Sequence, residues 1–83
     1  MRLAGLGLGL APPELAGNSI QLTVREEQVL SRIAQGETNE QIASDLRLSP
    51  NTVKQHASSA YRKLDAHNRT EAVRRAQYHG LIA

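Results

Sequence analysis

Beyond residue 21 the apolar side chains recur at intervals of three and four positions, which is the spacing of amphipathic helices rather than of strands. No segment alternates apolar and polar residues for long enough to make a convincing strand. The apolar positions of the four stripes are Val29, Leu30, Ile33 and Ala34; Ile42, Ala43 and Leu46; Val53, Ala57, Ala60 and Leu64; and Val73 and Ala76. The pattern predicts an all-α fold, a bundle of four short helices, the first over 24–35.

A residue that can cap a helix stands before each predicted helix. Such a side chain accepts a hydrogen bond from a free backbone N–H of the first turn, and a Glu or Gln three residues later can return one. The starts are Thr23 with Glu26, Thr38 with Gln41, Ser49 with Pro50 at the first helical position, and Asn68 with Glu71. Only Arg47 and Leu48 lie between the second stripe and Ser49. Two short helices on so tight a turn predict a helix-turn-helix motif.

Residues 1–20 follow neither pattern. Arg2 and the apolar run after it superficially resemble a signal peptide, but Gly5, Gly7 and Gly9 weaken the helix that such a peptide needs. No run approaches the roughly 20 apolar residues of a membrane span, so no membrane partner is expected. We predict a flexible tail or linker over 1–20 and one folded domain over 21–83.

Composition narrows the possible functions. The chain has 83 residues and contains no Cys, Phe or Trp, so disulfides and thiolate metal sites are excluded. The three histidines, His56, His67 and His79, do not have the spacing of metal ligands. Ser58 and Ser59 lie near His56 but on one helix, which does not assemble a nucleophile, a base and an orienting acid. We therefore predict that the chain is not an enzyme, with no catalytic residue, metal site or cofactor.

Charge is distributed unevenly along the chain. The formal net charge is only +2, but residues 51–83 carry six basic and two acidic side chains, and residues 1–50 carry four basic and six acidic ones. The third predicted helix has a polar side opposite its apolar stripe, and no acidic residue occurs from 51 to 64. A surface that meets phosphates would exclude acidic groups. The pattern fits either a DNA-contacting face or an ordinary solvated one.

Several segments together resemble the LuxR/GerE-type helix-turn-helix domain, and the similarity extends without a gap over 22–76. Two residues depart from that family's pattern: Val24, where Pro is usual, and Asp65, where Gly is common and a left-handed backbone is expected. The segments that carry the resemblance are Leu22-Thr23-Val24-Arg25-Glu26, Val29-Leu30, Ile42-Ala43, Ser49, Thr52-Val53-Lys54-Gln55-His56, Lys63-Leu64 and Arg69-Thr70-Glu71-Ala72-Val73.

The resemblance implies a DNA-binding output domain of a bacterial transcription regulator, acting as a dimer on two half-sites, with residues 50–64 as the recognition helix in the major groove. It places base contacts at Lys54, Gln55 and Ser58, and phosphate contacts at Thr38, Asn39, Thr52, His56, Arg62 and Lys63. For His56 a structural hydrogen bond is an equal alternative. The implied partners are double-stranded DNA, a weakly bound second copy and RNA polymerase, and the implied location is the nucleoid in the cytoplasm.

Helix four is the usual dimer contact of such domains. Val73, Ala76 and Gln77 lie on one side of it and are the predicted interface, although Val73 and Ala76 could instead pack on the other helices. Two further alternatives remain for the whole domain. One is a module similar to region four of sigma factors, which would also bind DNA. The other is a helical protein-interaction domain without DNA binding.

Overall fold

The computed structural model describes residues 20–83 and contains four α-helices there. They are α1 (Val24–Ala34), α2 (Asn39–Leu46), α3 (Pro50–Lys63) and α4 (Arg69–Tyr78), and no strand occurs in this part of the chain. The predicted all-α fold with a helix-turn-helix, here α2 and α3, is confirmed. The predicted tail falls on residues 1–19, which lie outside the described residues, and on Ile20, which is half-buried.

All four predicted helix starts are confirmed, because each cap accepts a hydrogen bond from the backbone N–H three residues later. At α1 and α2 the bond is reciprocated, since Glu26 and Gln41 accept from the backbone N–H of their caps at 2.9 and 2.8 Å. The caps and their donors are Thr23 with Glu26 at 3.1 Å, Thr38 with Gln41 at 3.2 Å, Ser49 with Thr52 at 3.1 Å, and Asn68 with Glu71 at 2.8 Å.

Helix α3 packs against all three other helices, so the core forms along its apolar stripe in two clusters. Tyr61 contacts both clusters and is half-buried. The first cluster contains Val29, Ile33, Ile42, Ala43, Val53 and Ala57, and the second contains Leu30, Ala60, Leu64, Ala72 and Ala76. The predicted core stripe of the third helix is therefore buried throughout.

Two details of the predicted core are corrected. Ala34 is exposed rather than part of the buried stripe, because α1 ends at this residue, just past the last side chain that the core covers. Apolar residues before the first helix and after the last one also contact the core, although they belong to no periodic pattern in the sequence. Ile20 and Leu22 before α1, and Leu81 and Ile82 after α4, pack against the second cluster.

Left-handed residues stand just before and just after α3. Arg47 has φ 59° and ψ 45°, and it ends α2 so sharply that the N–H of Leu48 donates to the carbonyl of Ala43 at 2.9 Å. Asp65 follows α3 with φ 55°, as its place in the family pattern predicts. A left-handed backbone is uncommon for residues with a Cβ, and Asp tolerates it better than Arg does. These two turns fix how α3 joins its neighbours.

Candidate nucleic-acid interface

One side of α3 is turned to solvent while the other is locked into the core. Val53 and Ala60 on the inner side are fully buried. The outer side carries exposed polar residues at spacings of three, four and seven positions, so their side chains project in one direction. We call this set the outer face; its members, Asn51, Lys54, Gln55, Ser58 and Arg62, line one shallow open hollow.

The three residues predicted to contact bases are brought together on the outer face. Lys54, Gln55 and Ser58 are all exposed there. Asn51 lies in the same row, and the sequence prediction missed it. The helical spacing that grouped Gln55 with Ser58 would have found it, because Asn51 stands one turn before Gln55. The missing step was to extend the polar side to the first turn of the helix.

Two of the predicted phosphate contacts lie at the starts of α2 and α3, where free backbone N–H groups attract anions. The Thr38 hydroxyl oxygen accepts from the N–H of Gln41 and keeps its proton to donate. The Thr52 hydroxyl oxygen accepts from Ser49 at 2.9 Å and likewise retains a donor. Asn39, beside Thr38, is half-buried. These positions have the donors that a phosphate needs.

The remaining predicted phosphate contacts differ in their exposure to solvent and in whether an acidic side chain pairs with them. His56 is half-buried, whereas Arg62 is exposed. Within residues 20–83, neither Arg62 nor Lys54 forms an ion pair with an acidic side chain. Both cations are therefore available to an anionic partner. The fourth residue, Lys63, is in a different situation.

Lys63 is held by a buried carboxylate of another helix. Its Nζ donates to Oε1 of Glu26 at 2.8 Å, and Glu26 is only 4% exposed. The backbone N–H of Thr23 donates to the same oxygen at 2.9 Å, and the half-buried Ser59 lowers the pKa of this carboxylate. These four residues, Thr23, Glu26, Ser59 and Lys63, form the Glu26 network. It ties the first turn of α1 to the last turns of α3.

The Glu26 network keeps its carboxylate charged. Burial would raise the pKa of Glu26, but hydrogen bonds from Lys63, Ser59 and Thr23, with the positive charge of Lys63, outweigh burial and lower this pKa from 4.5 to about 2. At neutral pH the negative charge of Glu26 therefore offsets the positive charge of Lys63. The sequence showed Glu26 as a capping residue, and nothing in its spacing indicated Lys63 as its partner.

Helix α4 exposes only part of its predicted dimer surface. Ala76 is fully buried in the second cluster, and Val73 is half-buried against the first. The core-packing alternative thus holds for Ala76, because a side chain without exposed surface cannot touch a partner while α4 stays docked. Gln77 is exposed, and its Nε2 donates to the carbonyl of Ala83 at 3.2 Å. Next to it, Tyr78 is 87% exposed.

Comparison with known proteins shows which family has this sequence and arrangement of helices. The model of the luxR family of bacterial regulatory proteins matches residues 20–76. This chain belongs to the luxR family. It is therefore a LuxR-type helix-turn-helix, which is a DNA-binding domain of transcription regulators. Domains of this family are not enzymes. The family also decides against the sigma-factor alternative.

Relatives and solved structures agree with this assignment. The luxR-family domain is 46% identical over 65 residues to the transcriptional regulatory protein YdfI of Bacillus subtilis strain 168, which covers 78% of this chain. The crystal structure of the response regulator ChrA of a heme-sensing two-component system matches with 40% identity and a TM-score of 0.72 over 75% of this chain. The transcription factor GerE matches with 26% identity and a TM-score of 0.72, over 75% of this chain and 92% of its own.

The luxR-family domain spans only part of some of these proteins. It covers 30% of YdfI and 31% of the ChrA chain. In the described part of the domain, no helix combines the length and apolar character needed to cross a membrane. Residues 20–83 also hold no group of three His, Asp or Glu side chains placed to bind a metal ion.

Proposed function

We propose that this luxR-family domain binds double-stranded DNA sequence-specifically, with α3 in the major groove. The observation that carries the proposal is the outer face, an exposed polar row without an acidic side chain on a helix whose opposite side is fixed in the core. The major groove of B-DNA admits one α-helix and displays donors and acceptors that distinguish the base pairs. Lys54, Gln55 and Ser58 are the proposed base contacts.

Phosphate contacts would orient α3 in the groove without specifying sequence. The proposed set is Thr38, Asn39, Thr52, His56, Arg62 and Lys63. Among these, Arg62 is exposed and free of ion pairs within residues 20–83, so it should contribute a full charge. Lys63 should contribute less, because Glu26 already offsets its charge.

We further propose that the domain acts as a two-fold pair on half-sites about one helical turn of DNA apart. The exposed side of α4, with Gln77 and the neighbouring Tyr78, would form the contact, and its small area makes a weak dimer. Val73 can add only what its half-buried side chain exposes. Regulation, and any contact with RNA polymerase, would involve a longer protein of which this domain is the DNA-binding part, on the bacterial nucleoid in the cytoplasm.

The experiment that tests DNA binding needs no known operator. Amide chemical shifts of the 83-residue chain are followed by NMR during titration with a random-sequence duplex at low and at moderate salt. We expect shifts confined to residues 38–39 and 49–63 that weaken steeply as salt rises, because phosphate contacts release counterions. Shifts restricted to α4, or none at low salt, would contradict the proposal and favour the protein-interaction alternative.

A pair of arginine variants makes the test sharper. Arg62→Ala on the outer face should weaken binding to every duplex and reduce the slope of log affinity against log salt by about 0.9. Arg25→Ala removes an exposed arginine from α1, where its side chain donates only to Gln28 at 3.2 Å among the described residues, and should leave binding unchanged. Equal losses in both variants would point to diffuse attraction rather than to the proposed docking.

A further inference from the structure

The first turn of α3 contains one polar side chain that is available to a base edge. Pro50 is apolar, and Val53 is fully buried. Thr52 is half-buried, and the donor that its hydroxyl keeps after accepting from Ser49 is assigned to a phosphate in the proposed function. Asn51 is exposed, and its amide makes no hydrogen bond within residues 20–83. In helix-turn-helix proteins the first residues of the recognition helix contact base edges, so this position is the one where a free side chain matters most.

The chemistry of an amide restricts what Asn51 can recognise. Its side chain offers a donor and an acceptor side by side, which match the N6 donor and the N7 acceptor of adenine in the major groove. Neither Lys54, which only donates, nor Arg62 can make that pair. Gln55 carries the same group one turn further along α3. The outer face thus holds two amides about 6 Å apart along the helix axis.

We infer that Asn51 is a specificity-determining residue that selects adenine. It contacts a base about two base pairs from the one that Gln55 contacts, since base pairs are about 3.4 Å apart along a strand. Asparagine is short, so the contact requires the start of α3 to enter the groove closely. The inference rests on the proposed function and adds a base identity to it.

The test compares selected sequences rather than overall affinity. The 83-residue chain and its Asn51→Ala variant are each used to enrich bound duplexes from a pool with a randomised centre, and the enriched sequences are read. The wild type should enrich a motif with adenine at two positions about two base pairs apart. Asn51→Ala should lose the preference at one of them, by roughly tenfold or more, and keep the rest of the motif. Its affinity for random duplexes should stay unchanged.

Two further variants identify the contact. Asn51→Asp replaces the donor by an acceptor, so it should move the preference at that position from adenine towards cytosine, whose N4 amino group donates. Gln28→Ala removes an exposed amide from α1 and is the matched control, expected to select the wild-type motif. Thermal unfolding of each variant checks that the fold is intact, since Asn51 lies outside the core.

The outcomes separate this inference from the proposal beneath it. A wild-type motif that Asn51→Ala selects unchanged would overturn the inference and leave the proposed function standing. Loss of affinity on all duplexes alike would also overturn it, by showing that Asn51 contacts phosphate. A wild-type chain that enriches no motif at all would overturn the proposed function itself, and this inference with it.

Discussion

The two sides of α3 use the same kinds of side chain in opposite ways. On the outer face, Lys54, Ser58 and Arg62 are exposed. On the side that meets α1, Lys63 donates to the carboxylate of Glu26, and the half-buried Ser59 lowers the pKa of that carboxylate. Ser58 and Ser59 are adjacent in sequence, yet one faces the hollow and the other the Glu26 network. A basic helix is therefore not uniformly a DNA-binding surface.

The difference between the two sides comes from one buried group, the carboxylate of Glu26. A carboxylate removed from water must be paired or hydrogen-bonded, and Glu26 recruits whatever donors lie opposite it. Lys54 has no such partner, because no acidic side chain of residues 20–83 forms an ion pair with it. The side of α3 that meets Glu26 thus contributes to stability, and the outer face remains available to a ligand.

Removing the carboxylate should be the most damaging of these changes. Glu26→Ala deletes the buried acceptor of Lys63 and of the N–H of Thr23, so we expect the free energy of unfolding to fall by roughly 3–4 kcal/mol. Urea denaturation measures this. The control is Glu27→Ala, which removes the exposed neighbour and should change stability by less than about 0.5 kcal/mol. Equal effects of the two variants would show that the Glu26 network adds nothing beyond a surface charge.

Acid should remove the same stabilisation. The pKa of Glu26 is lowered from its ordinary value of 4.5 to about 2 in the folded domain, so its contribution of about 3 kcal/mol is complete above pH 5 and is lost as pH falls towards 2. Glu26→Gln cannot titrate at this position. The stability difference between wild type and Glu26→Gln should therefore shrink progressively below pH 5. A difference independent of pH between 2 and 7 would contradict the ionic role of Glu26.

Most of the fold could be predicted from the sequence, because its causes are local. Thr23 and Asn68 start helices by bonding to residues three positions away, and Val53 to Leu64 share a face through helical periodicity alone. The left-handed turn at Asp65 was likewise predictable from its place in the family pattern. Spacing also placed Lys54, Gln55 and Ser58 on one side of a helix, and the structure puts them there.

The contacts between helices could not be predicted in this way. They depend on which helices pack together, and the spacing of residues along one helix does not show this. Lys63 pairs with Glu26 across 37 positions, which spacing along α3 does not show. Its phosphate contact stays a prediction. Ala76 shows the same limit, since its burial depends on how α4 docks in the second cluster. Asn51 is different, because helical spacing alone places it on the same side as Gln55. The sequence prediction did not extend the polar side to the first turn of α3.

Two variants of neighbouring cations should distinguish the two sides of α3 on DNA. Arg62→Ala should reduce the slope of log affinity against log salt by about 0.9, whereas Lys63→Ala should reduce it by less than half of that, because Glu26 offsets the charge of Lys63. The measurement is binding to one duplex at several salt concentrations, below the unfolding temperature of each variant. Equal changes in slope would show that Lys63 leaves Glu26 when DNA is bound.

The smallest effects should come from the left-handed residues that flank α3. Arg47→Gly relieves a conformation that Arg adopts at a cost, so we expect a gain of about 0.5–1 kcal/mol in the free energy of unfolding. Asp65→Gly should gain less, since Asp tolerates the same backbone better. Arg74→Gly, in the interior of α4, is the control and should lose about 1 kcal/mol, because glycine weakens a helix. An equal gain in the free energy of unfolding for Asp65→Gly and Arg47→Gly would contradict the idea that Asp tolerates a left-handed backbone better than Arg does.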